Sequence, residues 1–326
     1  MLNKKHIFAL SIPLLLLTAC GGGDSDSSSN DETPLPSFSL AVSDAPVDDL
    51  SEVVVCFNQI ELKGDTEVTF TVGNESGMIA SNDLCLNNNN EIIPDTVGID
   101  LLAYTGSDSI TLVDGISIAA GDYTQMRLIM SDGSYGIDAL SGEKISVSVP
   151  SNELKLDGFT ATLGGTVDFT LEFDLNKAMT NPVGQAGYFL KPRGVRLVNN
   201  NEAGHIEGSV SETLLINNQC TPLSDPSVSI ASVYLYEGPD LAMDTLADVD
   251  GDETNQPLTS TSVTFDSEQT AYNFEIGFVN AGDYTIAVSC DTEDVPEVDD
   301  EVTFISAQNV NVVAGNTAAQ VSFEAQ

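Results

Sequence analysis

The pentapeptide Ala120-Gly121-Asp122-Tyr123-Thr124 occurs a second time as Ala281-Gly282-Asp283-Tyr284-Thr285. Each copy opens an apolar segment with the character of a strand, residues 125–130 in the first case and 286–289 in the second. In Greek-key sandwiches, a tyrosine near the start of a strand can donate a hydrogen bond to a backbone carbonyl just upstream, where the chain changes sheets. We therefore predict structural tyrosine corners at Tyr123 and Tyr284, in two units of shared architecture.

The segments around both copies alternate between apolar and polar residues with a period of two, which is typical of half-buried strands. Turn dipeptides such as Asp132-Gly133 and Gly164-Gly165 recur at short spacing, and long helical periodicity is confined to the N-terminal segment. Alternating segments are 52–57, 67–72, 144–149, 166–175 and 194–198. The pattern predicts an all-β protein with two consecutive Greek-key β-sandwich domains.

Charge divides the chain between the two copies of the repeat. Every Lys and Arg lies at or before Arg196, whereas residues 199–326 contain 23 Asp and Glu and no Lys or Arg. A polar run, Asn199-Asn200-Asn201, separates two strand-like segments. We predict one sandwich over residues 38–198 and the other over residues 199–326.

The N-terminal segment has the order of a bacterial lipoprotein signal. Lys4 and Lys5 precede an apolar run over residues 7–17 that is too short for the roughly 20 residues of a membrane span. Leu17-Thr18-Ala19-Cys20 resembles the lipobox, in which the cysteine is lipidated and becomes the first residue. This resemblance implies a signal peptide over residues 1–19 and lipidation of Cys20.

The residues after Cys20 predict how the protein is held. Residues 20–37 are mostly Gly, Ser, Asp and Pro, a composition that favours a disordered, flexible acidic tether. In lipoproteins of this class, aspartate after the cysteine favours inner-membrane retention, and the residue here is Gly21. The expectation is a lipid anchor in the outer membrane of the cell envelope, on either its periplasmic or its surface face.

The mature chain is strongly acidic. With Lys4 and Lys5 removed, eight basic residues face 50 acidic ones, which makes the formal charge −42. Nucleic acid would be repelled, so it is excluded as a partner. Solubility in a salty medium and cation binding are the two interpretations that the charge leaves open.

The four cysteines other than Cys20 allow three pairings. Only one of these pairings, Cys56 with Cys85 and Cys220 with Cys290, keeps each disulfide within one predicted domain. Loop-closure entropy makes these bridges worth about 3.5 and about 4.5 kcal/mol, so we predict structural disulfides formed in an oxidising compartment.

Longer motifs in both units resemble known families. Ser43-Asp44-Ala45-Pro46-Val47-Asp48, Ile99-Asp100-Leu101-Leu102 and Tyr188-Phe189-Leu190-Lys191-Pro192 resemble the DUF4382 lipoprotein family, which implies localisation and fold but no activity. Residues 208–210, 228–236, 272–276 and 282–288 resemble the carboxypeptidase regulatory-like, transthyretin-like sandwich. Modules of that kind serve as stalks, spacers or binding domains, so the resemblance says little about function.

Catalytic motifs are absent from the sequence. His205 is the one histidine of the mature chain, which rules out a zinc site built on two histidines, and neither GxSxG, GxxxxGK nor GxGxxG occurs. Paired carboxylates for glycoside hydrolysis stay open as an alternative, because 50 acidic residues guarantee accidental pairs. We expect no enzyme.

An acidic loop is the candidate metal site. Asp244, Asp248, Asp250, Asp252 and Glu253 place several carboxylates close together, which suits Ca²⁺ with its 6 to 8 oxygen ligands. Glu253 stands where an EF-hand loop requires glycine, so the two interpretations are an irregular calcium loop and a solvated acidic loop. Lys191, Arg193 and Arg196 form a basic cluster that predicts either pairing with carboxylates of the second domain or an anion site.

The sequence as a whole predicts a non-catalytic binding, adhesion or scaffold module of the envelope, with an envelope protein or glycan as partner and calcium as a possible stabiliser. The alternative is a carboxylate-based hydrolase acting on envelope or extracellular glycans.

Overall fold

The structure is a computed structural model that describes residues 33–325 apart from 46–48, 183, 251–253, 293, 295, 300 and 316. The predicted signal peptide, Cys20 and most of the predicted tether lie outside the described residues. From Pro34 onward the chain forms one compact unit. No helix in the described part of the chain is long and apolar enough to cross a membrane.

Strands make up most of the described chain, as the alternating segments predict. The first fourteen are β1 (Ser37–Ala45), β2 (Leu50–Gly64), β3 (Val68–Thr71), β4 (Val97–Asp100), β5 (Ile110–Ser117), β6 (Gly121–Met130), β7 (Tyr135–Asp138), β8 (Lys144–Ser148), β9 (Glu153–Leu156), β10 (Phe159–Ala161), β11 (Thr166–Asp174), β12 (Met179–Thr180), β13 (Tyr188–Leu190) and β14 (Val195–Asn199). The others are β15 (Ala203–Val210), β16 (Ala231–Glu237), β17 (Thr259–Asp266), β18 (Ala271–Asn280), β19 (Gly282–Ser289), β20 (Phe304–Val312) and β21 (Ala319–Phe323).

Helices are short. The α-helices are α1 (Leu175–Ala178) and α2 (Glu212–Asn217), and 3-10 turns occupy Leu101–Ala103, Pro192–Gly194 and Met243–Thr245. Asp174 caps α1 by accepting a hydrogen bond from the Lys177 backbone N–H, and Ser211 caps α2 by accepting one from Leu214. Neither helix was predicted from the sequence, because one or two turns are too short to show helical periodicity.

We call residues 33–199 the N-terminal half and residues 203–325 the C-terminal half. In the N-terminal half, a sheet of order β14-β11-β1-β5 faces a larger one of order β10-β6-β2-β7-β8-β13-β12, with β3, β4 and β9 paired alongside. β1 runs parallel to β11, and their apolar side chains pack on those of β2 and β6 to form one core. The half is therefore a β-sandwich.

In the C-terminal half the strands follow the order β20-β19-β16-β17-β18-β15-β21. β17 pairs with β16 through residues 259–263 and with β18 through residues 264–266, so it passes from one layer to the other. A second core, which contains Val233, Phe274 and Ile286, lies between the layers. The all-β sandwich prediction is confirmed, and no strand of one half pairs with a strand of the other among the described residues.

Both repeated tyrosines form the hydrogen bond of a tyrosine corner. The Tyr123 hydroxyl donates to the Ala119 carbonyl oxygen at 2.9 Å, and the Tyr284 hydroxyl donates to the Asn280 carbonyl oxygen at 2.8 Å. Both rings are buried, and β6 and β19 begin at the glycine of each motif. Each tyrosine therefore satisfies a backbone carbonyl at the corner where its strand starts.

The disulfide prediction is confirmed. Cys56 bonds to Cys85 and Cys220 bonds to Cys290. The first bridge ties the segment after β3 to the middle of β2, and the second ties the end of α2 to the end of β19. Each bridge stays inside one half.

Candidate functional site

The two halves meet along a junction at the edge of the β14-β11-β1-β5 sheet. β1 and β11 contact β18, and β1 also contacts β17, so strands of the C-terminal half cover this part of the sheet. Gly277 lies so close to Gly106 that a Cβ at position 277 would be 1.8 Å from the Gly106 carbonyl oxygen. Glycine is needed there because the two backbones touch.

Several polar groups form hydrogen bonds across the junction, beside a small apolar cluster of Val198, Ala203 and Phe278. The Lys177 Nζ atom donates to the Pro257 carbonyl oxygen at 3.1 Å, and the Arg196 Nη1 atom donates to the Phe278 carbonyl oxygen at 3.4 Å. The Ser107 N–H donates to Glu275 Oε1 at 2.8 Å. Water could replace each of these bonds, so the junction differs in kind from the apolar cores on either side.

The predicted basic cluster lies at this junction. Arg193 forms an ion pair with Asp250 at 3.5 Å and also donates to the Pro296 carbonyl oxygen. Arg196 reaches the C-terminal half through the backbone of Phe278. The cluster was predicted either to pair with carboxylates of the second domain or to bind an anion. Arg193 pairs with such a carboxylate, that of Asp250.

Three carboxyl groups are buried at the junction. Asp44, at the end of β1, is 0 % exposed, and Glu172 and Asp174, at the end of β11, are 1 % and 2 % exposed. Neither oxygen of Asp44 forms a hydrogen bond of ordinary geometry, and one oxygen each of Glu172 and Asp174 is also without one. Buried polar groups in this state are rare in folded proteins, and they mark a place that needs a physical explanation.

Burial sets the protonation of these carboxyl groups. It raises the pKa of Asp44 well above its ordinary value, and the nearby carboxylates of Glu172, Asp174 and Asp100 raise it further. Burial raises the pKa of Glu172 to about 8, although the Arg196 guanidinium pulls it down. The pKa of Asp174 is also raised by burial, against the opposing charge of Lys177. Near neutral pH Glu172 therefore favours the protonated form, and burial shifts Asp44 and Asp174 in the same direction.

A cleft of about 740 Å³ opens beside the buried carboxyl groups. Its wall in the N-terminal half is the turn around Leu102, Thr105 and Gly106, and its floor is the outer face of β17, β18, β15 and β21. The floor carries polar side chains at alternate positions: Ser262, Thr264, Asp266, Asn273, Glu275, Glu207, Ser209 and Gln320. The cleft exists only because both halves contribute to it.

Two carboxylates lie side by side on that floor. Glu207 of β15 and Glu275 of β18 are register partners, which places their side chains next to each other on one face. Glu207 accepts a hydrogen bond from Gln320 at 3.1 Å, and Glu275 accepts the Ser107 N–H across the junction. Neither takes part in an ion pair within the described part of the chain. The floor therefore offers carboxylate acceptors beside amide and hydroxyl groups.

His205 lines a second cavity, of about 420 Å³, at the same junction. Its Nδ1 atom accepts the Phe278 N–H at 3.3 Å, and the two rings are in edge contact at 5.0 Å. Burial lowers the pKa of His205, so the ring is neutral near pH 7 and carries its proton on Nε2. The contacts are those of a hydrogen-bonded structural histidine.

The predicted calcium loop is described only in part, because Asp252 and Glu253 lie outside the described residues. Asp248 is buried, Asp244 lies in a 3-10 turn, and Asp250 pairs with Arg193. Among the described residues no three His, Cys, Asp or Glu side chains form a group that could hold a metal ion. Calcium binding stays a prediction, which calorimetric titration of the protein with Ca²⁺ would test.

The junction carboxylates were not predicted from the sequence. Asp44 and Asp100 belong to the segments that carry the DUF4382 resemblance, but no role was assigned to them there. Glu172 occupies an alternate position of β11 at which a half-buried strand should expose it. The one signal in the sequence was the position of Asp44 within its motif, and it did not stand out because the chain has 50 acidic residues.

Comparison with known proteins supports the first of the two resemblances. Residues 36–192 match the family described as "Domain of unknown function (DUF4382)". No curated protein matches the chain. The second resemblance, to carboxypeptidase regulatory-like modules, stays a prediction.

Similar solved structures include the Bacillus anthracis TIE protein, with 10% identity over 89% of this chain and 34% of that one, at a TM-score of 0.19. A major pilin protein of Streptococcus pyogenes has 12% identity over 89% of this chain and 97% of that one, with a TM-score of 0.15. A fimbrilin of Porphyromonas gingivalis W83 has 8% identity over 79% of this chain and 73% of that one, with a TM-score of 0.14. The chain thus spans about a third of the Bacillus anthracis protein. Scores this low establish no shared fold.

Proposed function

We propose that this chain, whose residues 36–192 match the DUF4382 domain, is a non-catalytic binding module of the cell envelope that holds its ligand in the junction cleft. The second half is, in this proposal, a carboxypeptidase regulatory-like sandwich. The observation that carries the proposal is the cleft itself, which is concave, polar and built from both halves. A module of this kind binds or displays a partner without reacting with it.

The lining favours a hydroxyl-rich ligand such as a glycan. Carboxylates accept hydrogen bonds, amides donate and accept them, and hydroxyl groups do both, so Glu275, Asn273 and Gln320 can pair with sugar hydroxyls in either direction. A neutral glycan also avoids the repulsion that a chain of charge −42 would exert on an anion.

Binding can be tested by calorimetric titration with neutral malto-, cello- and chito-oligosaccharides. We expect at least one probe to bind, and we expect Asn273→Ala or Gln320→Ala to weaken it about tenfold, because each removes a hydrogen bond worth about 1 kcal/mol or more. Glu268→Gln, a change at an exposed residue outside the cleft lining, should leave binding unchanged. Binding that none of the cleft variants alters would contradict the proposal.

The adjacent carboxylates Glu207 and Glu275 favour hydrolysis as the second candidate. Glycoside hydrolysis uses two carboxyl groups that flank the scissile bond, and a concave site with neighbouring carboxylates meets the first requirement. New reducing ends during incubation with the same oligosaccharides, abolished in Glu207→Gln, would establish this activity. Intact oligosaccharides would leave the non-catalytic proposal in place.

Membrane attachment is a separate part of the proposal, and it depends on Cys20. We propose that several acyl chains on this residue anchor the protein in the outer membrane. One chain alone would bind a membrane only marginally, so stable attachment requires more than one. Cys20→Ser should move the protein from the membrane fraction to the soluble fraction. Cys220→Ser serves as the matched control, since it removes a cysteine that the lipobox does not contain, and membrane retention of Cys20→Ser would refute the anchor.

A further inference from the structure

The three buried carboxyl groups at the junction have no role in ligand binding as proposed above, yet they lie where the halves meet. Asp44 ends β1, Glu172 and Asp174 end β11, and the covering strands β17 and β18 belong to the C-terminal half. Thr259 and Ser260 of β17 are themselves buried there, at 1 % and 3 % exposed. The carboxyl groups are therefore shielded from water by the docking of the halves.

Charge at this place depends on protons. The other charged groups that act on the carboxyl groups are Asp100 at the end of β4, Lys177 on α1 and Arg196 on β14. Lys177 is itself acted on by Arg193, in the turn before β14, and by Glu237 on β16. Arg196 is the register partner of Glu172, but its Nε and Nη2 atoms have no hydrogen-bond partner. Three ionised carboxylates would outnumber Lys177 and Arg196, the two cations that act on them directly.

The Ala45 backbone N–H favours an ionised Asp44, but burial opposes it more strongly, and neither carboxylate oxygen has a hydrogen bond of ordinary geometry. A buried carboxylate without an ion pair is strongly unfavourable. Water can relieve this charge only by entering the junction, where the contacts from Lys177, Arg196 and Ser107 are all polar and replaceable. The cores on either side are apolar and would stay closed.

We propose that the carboxyl groups of Asp44, Glu172 and Asp174 act as a latch, which lets the two halves stay docked while it is protonated and separates them when it ionises as the pH rises. Because the cleft has walls from both halves, separation opens it. The effect on a ligand rests on the proposed function, whereas the separation itself does not.

Hydrogen exchange of the ligand-free full chain in detergent tests the latch. The N–H groups of Ser107 and Asn181 donate to Glu275 and Glu297 across the junction, so their protection reports docking. Between about pH 6 and about pH 9 we expect their protection, corrected for intrinsic exchange rates, to fall roughly tenfold or more in the wild type. Amides of β19, which is paired on both sides inside the C-terminal half, should keep theirs.

Glu172→Gln and Asp44→Asn each replace a carboxyl group by a neutral amide of similar shape. Each should preserve junction protection at about pH 9, while Glu268→Gln should behave like the wild type. An equal loss of junction protection in Glu172→Gln and Glu268→Gln, or no loss of protection in the wild type, would overturn the latch. Failure of both neutral variants to fold would overturn it too, because the neutral forms are the ones it holds to be stable. Since no ligand is used, failure of glycan binding leaves this test intact.

Discussion

The shifted pKa of Glu172 alone should lower the free energy of unfolding by about 5 kcal/mol between pH 4.5 and pH 8, and Glu172→Gln should remove this loss. Burial raises the folded-state pKa of this carboxyl group from 4.5 to about 8. The folded state therefore holds a proton over that window which the unfolded state releases. The stabilisation is complete below pH 4.5 and is lost as the pH rises through about 8.

Urea unfolding at half-unit steps of pH, for the wild type and Glu172→Gln, measures this effect. General repulsion in so acidic a chain also lowers stability as the pH rises, so the difference between the two proteins is the quantity of interest. Glu268→Gln removes the same charge from an exposed position, and its curve should run parallel to that of the wild type. A Glu172→Gln curve parallel to the wild type would show that this carboxyl group ionises as freely when folded as when unfolded.

Removal of the Cys220–Cys290 disulfide should lower the free energy of unfolding by about 4.5 kcal/mol, and removal of Cys56–Cys85 by about 3.5 kcal/mol. The bridges close loops of 70 and 29 residues, and the longer loop restricts the unfolded chain more. Double replacement by alanine keeps each site apolar. Urea unfolding of each double variant near pH 6, where Glu172 stays protonated, gives the two values separately.

Reduction of the wild type supplies the matched control. A reductant should destabilise the wild type about as much as both double replacements together, and it should not affect a chain that lacks all four of these cysteines. If the 29-residue bridge contributed more than the 70-residue bridge, loop closure would not be the main source of the stabilisation.

Local patterns in the sequence predicted several of the strands. Residues 144–149 and 166–175 alternate in polarity, and the structure has β8 and β11 there. The tyrosine motifs and the cysteine pairing also followed from short stretches, because a corner and a bridge within one half depend on few residues. The parallel pairing of β1 with β11 was not predicted, since it joins segments more than 100 residues apart.

The alternation failed where a strand is covered on both faces. In β11, Thr170 to Asp174 are all buried, although period two predicts that Thr170 and Glu172 face water. The outer face of this strand is covered by β18, which lies about 100 residues further along the chain. Nothing near Glu172 in the sequence records that contact, so it looks like any other of the 50 acidic residues.

The all-β class, the two disulfides, the tyrosines at the two corners and the strongly acidic character follow from side-chain period, composition and short motifs. Three properties depend instead on how distant segments pack: the halves form one compact unit, three carboxyl groups lie buried between them, and a cleft opens beside them. The reason is physical: the protonation of a carboxyl group depends on the water around it, and the docking of two distant segments removes that water.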